Sequence, residues 1–118
     1  MQIIAANQAK VLKFVDHAIT EFSFDDQELS LAIAELNGDK VICAAETEKP
    51  FAVNKVCKEL IYILAGEGKI VFEHKTFEFK VGDALLILPG EKYYWQGQFK
   101  AATFSTPAWS AEQHQAVD

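Results

Sequence analysis

The chain has 118 residues, half of them hydrophobic and 24% charged, a make-up that fits one globular domain and excludes wholesale disorder. Carboxylates outnumber lysines, 17 to 11, for a net charge of −6, which argues against nucleic acid or an anionic membrane as the main partner. No arginine is present, so an anionic ligand would have to be held by Lys or backbone N–H groups rather than a bidentate guanidinium.

The N-terminus, Met1 to Asn7, lacks a basic stretch followed by a long apolar run. The longest apolar run anywhere, Leu60 to Ala65, is far short of a membrane span. The cytoplasm is the expected location. Strand-like runs then follow one another. Val11 to Val15 is the first. Leu31 to Leu36 is the second, ending at Asn37-Gly38-Asp39, a hairpin-turn signal. Val41 to Ala45 and Phe51 to Val56 come next. Glu59 to Ala65 and Lys69 to Glu73 flank Gly66-Glu67-Gly68, read as a second turn. Thr76 to Lys80 alternates apolar and charged residues, as a half-exposed strand does. Gly82-Asp83 turns into Ala84 to Leu88, Pro89-Gly90 ends that run, and Tyr93 to Trp95 and Ala101 to Ser105 complete the series.

Short strands at this spacing predict an all-β sandwich or barrel. Only the tail reads as helical. Ser110 and Gln113 have capping-box spacing after Pro107, which predicts one or two helical turns near Ala111 to Ala116. Leu60 to Leu64 and Ala84 to Leu88 are apolar on both faces. A strand with one wet face alternates, so something is expected to cover their outer sides, either the termini or a second copy. A homodimer is the expectation.

Two stretches resemble the motifs of the cupin superfamily in its small single-domain form. Glu59 is followed, after six intervening residues, by Gly66, and Gly82 to Gly90 has the Gly-Asp, apolar strand and Pro/Gly turn of the second motif. The resemblance covers roughly Leu31 to Ser105, the conserved core of a single domain spanning residues 1–118. It implies a double-stranded β-helix (jelly-roll) barrel, commonly dimeric and often holding a metal. At the family's four ligand positions, however, this chain carries Ala52, Asn54, Glu59 and Tyr93. One carboxylate, one amide and one phenol poorly replace the imidazole or thiolate donors that transition metals favour. The resemblance therefore implies the fold without the metal, and no cofactor is expected.

In the register implied by the family, Ala52, Asn54, Glu59, Ile61, Ile63, Tyr93 and Trp95 share the barrel interior. Asn54, Glu59, Ile61, Tyr93 and Trp95 are the candidate ligand-binding residues. Glu59 and Tyr93 are the candidate catalytic pair, because a carboxyl in an apolar barrel has a raised pKa suited to proton transfer. A filled core, with Glu59 bonded to Tyr93 or Asn54, is the alternative for the same residues. Cys43 and Cys57 read as reduced packing residues. Among the three histidines, His74 is expected at a hairpin tip and His114 in the tail helix, with His17 leading into an acidic loop, 21–28. Trp109 is expected to pack the tail on the barrel. Phosphate-loop, nucleophile-elbow and zincin motifs are absent. The expected function is binding of a small organic ligand without a catalytic metal. The alternatives are a metal-independent isomerase or epimerase on a small polar or sugar-like substrate, using Glu59 and Tyr93, and a metal cupin with rearranged ligands.

Overall fold

The computed structural model describes residues 1–44 and 48–118. A 3-10 turn, Ala6–Gln8, leads into β1 (Lys10–Lys13), β2 (His17–Phe22), β3 (Ser30–Val41), β4 (Phe51–Asn54), β5 (Lys58–Phe72), β6 (Thr76–Lys80), β7 (Ala84–Ile87) and β8 (Lys92–Thr106). A second 3-10 turn, Ala111–Gln113, precedes β9 (His114–Val117). Every strand pairing is antiparallel. The long β8 organises the sheet. One edge pairs with β5 from Thr106 back to Tyr93, and the other pairs first with β3 and then with β4. The remaining strands extend the two sides, and the whole curls into a half-barrel with almost no helix.

Alternation puts the core on the concave face. On β5, Glu59, Ile61 and Ile63 are buried while Lys58, Leu60 and Tyr62 are exposed. Curling two long strands would carry this pattern out of phase, and bulges reset it. The β5–β8 register shifts between Ile63 and Ala65, after which Ile70 is the buried residue. The β3–β8 register shifts between Gly38 and Val41, so that Val41 faces inward opposite Trp95. The core joins these residues to Leu36, Phe79, Ile87, Phe99 and Ala101.

These bulges correct the expected turns. Asn37-Gly38-Asp39 is not a hairpin but continues β3, and Gly66-Glu67-Gly68 runs through the middle of β5. The glycines there serve close approach. Gly68 lies opposite Gly97, and a Cβ on Gly97 would meet Gly68 Cα at 2.6 Å. Gly97 also joins the two expected runs, Tyr93 to Trp95 and Ala101 to Ser105, into one strand. The hairpin turn lies at 73–75, with His74 at its tip as expected, closed by Phe72 N–H donating to the Lys75 carbonyl at 2.8 Å. Val41 ends β3, residues 42–44 form no strand, and the remainder of the expected Val41 to Ala45 run lies outside the described residues. The tail is not a helix beyond its single 3-10 turn. Ser110 makes no side-chain cap, the Gln113 side chain bonds Val56, Cys57 and Asn54, and the chain re-enters the sheet as β9 against β4.

The outer faces of β5 and β7 stay open in the single chain. Leu60, Tyr62, Leu64 and Leu86 are all exposed, so the termini do not cover them. Among the described residues no helix is long and apolar enough to cross a membrane.

Candidate functional site

Residues of six strands, β1, β2, β3, β5, β8 and β9, line a cavity of about 650 Å³. β2 supplies His17, Ile19 and Glu21, β5 supplies Glu59 and Ile61, and β8 supplies Tyr93 and Trp95 at one end and Thr103 and Ser105 at the other. Residues 22–31 and 108–111 close over it. Four of the expected ligand-binding residues, Glu59, Ile61, Tyr93 and Trp95, are thus together on its wall. Asn54 is not. It is completely buried and lies behind Glu59. A larger open groove of about 1350 Å³ lies beside the cavity and shares only Phe14, His17, Leu36 and Phe99 with it. It holds none of the candidate residues named above, so the smaller cavity is the site of interest.

Behind the wall, a chain of hydrogen bonds fixes the polarity of Asn54. Gln113 Oε1 accepts from the backbone N–H of Val56 and of Cys57, each at 3.1 Å. The Gln113 amide nitrogen is therefore its donor end, and it donates to Asn54 Oδ1 at 3.0 Å. Asn54 Oδ1 also lies 2.7 Å from His114 Nδ1. An amide oxygen only accepts, so Nδ1 carries the proton and His114 is the Nδ1–H tautomer. The other end of Asn54 donates from Nδ2 to Glu59 Oε1 at 3.0 Å. Backbone, glutamine, asparagine and glutamate thus form one ordered series. His114 Nε2 is buried and has no hydrogen-bond partner among the described residues.

Sequence reasoning missed Gln113 and His114 because both were assigned to a helix. The available signal was alternation. His114, Ala116 and the buried face of a short edge strand follow a period of two as well as they follow a helical turn.

Electrostatics follow from this enclosure. Burial raises the Glu59 carboxyl above its ordinary value, with the Asn54 hydrogen bond pulling the other way. Tyr93 is pushed well up, by burial first and then by the Glu59 and Cys43 charges, so its phenol keeps its proton. Burial lowers His114 to about 4, opposed by the Cys43 carbonyl, which keeps its imidazole neutral near pH 7. Burial also raises Cys43, and Cys57 is raised as well while its thiol faces the Pro107 carbonyl at 3.3 Å. Neither thiol is activated. No hydrogen bond joins Glu59 to Tyr93 among the described residues. Glu59 instead bonds Asn54, and its second oxygen has no hydrogen-bond partner there. Trp109 lies on the cavity rim beside His114, ring centroids 5.7 Å apart.

The metal that cupins often carry does not fit these residues. Ala52 offers no donor atom, both polar atoms of Asn54 are committed to neighbours, and the Cys57 thiol is turned to the Pro107 carbonyl. Among the described residues no group of three or more His, Cys, Asp or Glu side chains is arranged to hold an ion. The donor set left at the family's positions is one carboxylate and one phenol.

Comparison with known proteins places this geometry. The family model of the EutQ-like cupin domain matches residues 40–103. No curated protein matches the chain by sequence. Solved structures do. Pac13 from Streptomyces, a nucleoside dehydratase solved with uridine, is 10% identical with a TM-score of 0.82, covering 99% of this chain and 90% of that one. Ectoine synthase from P. lautus is 15% identical with a TM-score of 0.75, covering 100% and 91%. The polyketide cyclase RemF from Streptomyces resistomycificus is 13% identical with a TM-score of 0.73, covering 100% and 86%. At such identities the likeness is one of fold.

Proposed function

This chain belongs to the EutQ-like cupin domain family, and from that footing we propose that its barrel binds a small organic molecule directly, without a catalytic metal. The observation that carries the reading is Glu59. Its carboxyl is buried on the cavity wall, tied at one oxygen by Asn54 and left without a hydrogen-bond partner among the described residues at the other. Beside it stand the Tyr93 phenol and the Trp95 ring, with Ile61 supplying apolar wall. A few convergent polar groups on an aromatic and aliphatic lining are what orient a small ligand, and about 650 Å³ lies within the usual range of such cavities.

A second reading, metal-independent proton transfer of the isomerase or epimerase kind on a small polar or sugar-like substrate, is favoured by the same carboxyl. Its raised pKa brings it closer to the operating pH of a cell, where a general acid or base works best. Tyr93, which holds its proton, would serve as the hydrogen-bond donor to an oxygen gaining negative charge.

Thermal-shift screening of a metabolite panel against wild type and Glu59→Gln tests both readings. A compound that binds only the native state raises the melting temperature. The expected result is a stabilising compound whose effect is lost in the variant. Stabilisation of equal size in both proteins would remove Glu59 from the site.

We also propose that a second copy covers the open outer face. Leu86, Leu60, Phe104, Leu31 and Phe22 lie directly opposite one another across β7, β5, β8, β3 and β2, and Leu86, Leu60 and Phe104 of that apolar row are exposed. An exposed apolar patch is a common site of association, and a second copy would meet it about a two-fold axis.

A further inference from the structure

The corner of the cavity around Glu59 and His114 has a polarity that the chain itself does not answer. The hydrogen bonds leading to Glu59 all run one way. Backbone N–H groups of Val56 and Cys57 donate to Gln113, the Gln113 amide donates to Asn54, and Asn54 donates to Glu59 Oε1. His114 Nδ1–H joins the same series at Asn54 Oδ1. Donors aligned toward one carboxyl favour its ionised form, and they engage one oxygen only. Oε2 remains as an acceptor on a side chain that is 8% exposed. His114, equally buried and also on the wall, holds a second acceptor without a partner among the described residues, at Nε2.

A buried carboxylate calls for a counter-charge, and none stands beside this one on the wall. No lysine lines the cavity, and the sequence has no arginine. Of the two wall histidines, His17 is engaged with Asp16 at 2.6 Å, and burial keeps His114 neutral near pH 7. Among the described residues Glu59 forms no ion pair. The other acids on the wall have its sign. Glu21 sits on the next inward rung, since Glu59 lies opposite Ser105 of β8 whereas Glu21 is in line with Thr103 through Ala32. Those rungs are about 7 Å apart along β8. Three strands separate the two side chains, so Glu21 acts through its field rather than by contact. Lys10, opposite Glu21 on β1, is exposed, lies off the wall and forms no ion pair with it among the described residues. Asp26 belongs to the loop that closes over the cavity, and its Oδ1 accepts from the N–H groups of Glu28 and Leu29. Around these acids lie Phe22, Phe24, Tyr93, Trp95 and Trp109.

We infer that the ligand of this cavity is a small protonated amine, its ammonium group donating to Glu59 Oε2 and its apolar body lying on the aromatic wall. The inference rests on the metal-free binding proposed above and names the chemical class of that ligand. An ammonium group brings positive charge and hydrogen-bond donors without an acceptor, the complement of unpaired acceptors in a negative surrounding. Burial opposes the ionised form of Glu59, and a cation brought by the ligand offsets that cost. Aromatic faces add to the attraction, because their quadrupole favours a cation over a neutral group. A neutral alcohol donates to the same oxygen but leaves the carboxylate without a counter-charge. A carboxylate or phosphate ligand meets like charge, with no guanidinium or lysine on the wall to hold it.

The test is calorimetric titration of the full chain with probes matched in shape and differing in charge: butylamine against butanol, and benzylamine against benzyl alcohol and benzoate, each to millimolar concentration. The wild type is expected to bind at least one amine at least tenfold more tightly than its alcohol, and to bind no benzoate. Glu59→Gln keeps the length of the side chain and an acceptor for Asn54, and in it the amine preference is expected to vanish. In wild type with 13C-labelled glutamate, the Glu59 carboxyl resonance is expected to move on addition of the amine and not of the alcohol. Equal binding of amine and alcohol, a preference retained in Glu59→Gln, or a Glu59 resonance indifferent to bound amine would overturn the inference and leave the metal-free binding of a small molecule standing. Binding of no amine would overturn it as well, and a neutral or anionic compound that stabilises the protein in the thermal-shift screen would then show that the binding reading survives. Amine binding that requires an added divalent metal would overturn both.

Discussion

Asn54 Nδ2 donates to Glu59 Oε1 across 3.0 Å, and the other end of the same amide accepts from both Gln113 and His114. One side chain with no exposed surface thus joins a cavity carboxyl on β5 to the tail strand β9. It also satisfies groups from both sides, which is why a polar residue sits in the core of the barrel.

Replacing that hub is costly. Asn54→Ala leaves Glu59 Oε1, Gln113 Nε2 and His114 Nδ1 without partners in a dry interior, and is expected to destabilise the fold by about 2–4 kcal/mol. Chemical denaturation measures it. A loss below about 0.5 kcal/mol, the range of ordinary surface changes, would mean that the network carries little.

The pH dependence of stability has a definite sign. The folded state raises the Glu59 pKa above its ordinary 4.5, so near that value the native protein binds more protons than the unfolded chain. The stabilisation from this group is fully present below about pH 4.5 and is lost as pH rises through the folded value. Glu59→Gln removes the dependence, so its melting temperature should gain on wild type as pH rises across that window. His114 works in the opposite direction. Its pKa falls from 6.5 to about 4 on folding, so its contribution is present above pH 6.5 and is lost as pH falls toward 4. Parallel pH profiles for wild type and Glu59→Gln would contradict the assignment of Glu59.

Two glycines with positive φ should respond differently to alanine. At Gly97 a Cβ meets Gly68 Cα at 2.6 Å, with φ at +130°, whereas at Gly90 nothing lies within 4 Å, with φ at +86°. Gly97→Ala is expected to cost more than Gly90→Ala by about 1–3 kcal/mol, the range of overpacking strain. Equal melting temperatures for the two variants would mean that β5 and β8 do not approach so closely.

Light scattering coupled to size exclusion tests the outer face. The expected species has twice the chain mass, and Leu60→Lys, which sets a charge in the middle of the apolar row, is expected to shift it to one copy. A wild-type monomer at micromolar concentration would refute the proposed dimer.

The sequence made the barrel legible because its signals are local. Thr76–Lys80 alternates over its whole length and is a strand with those bounds, and Gly82 and Pro89-Gly90 turn where they should. The register implied by the family resemblance, combined with strand alternation, set Glu59, Ile61, Tyr93 and Trp95 on one face, and all four are buried. Local reading failed where a glycine serves a partner strand. Gly66 and Gly68 read as turn residues because nothing in their own neighbourhood reveals the β8 backbone from Gln96 to Phe99 across the sheet. It failed again at Gln113, whose capping-box spacing to Ser110 is real, while its side chain instead bonds backbone N–H groups more than fifty residues away. The partners of Asn54, the residue that bonds Glu59, thus come from the tail, and a pairing of that range leaves no periodic mark on the sequence.

Calorimetric titration of a stabilising metabolite into chelator-treated protein tests the central claim most directly. The account predicts one molecule bound per chain, an affinity unchanged by removing divalent metal, and a loss of at least tenfold, about 1.4 kcal/mol, in Glu59→Gln. Binding that disappears on chelation and returns with added iron, manganese, nickel or zinc would contradict it.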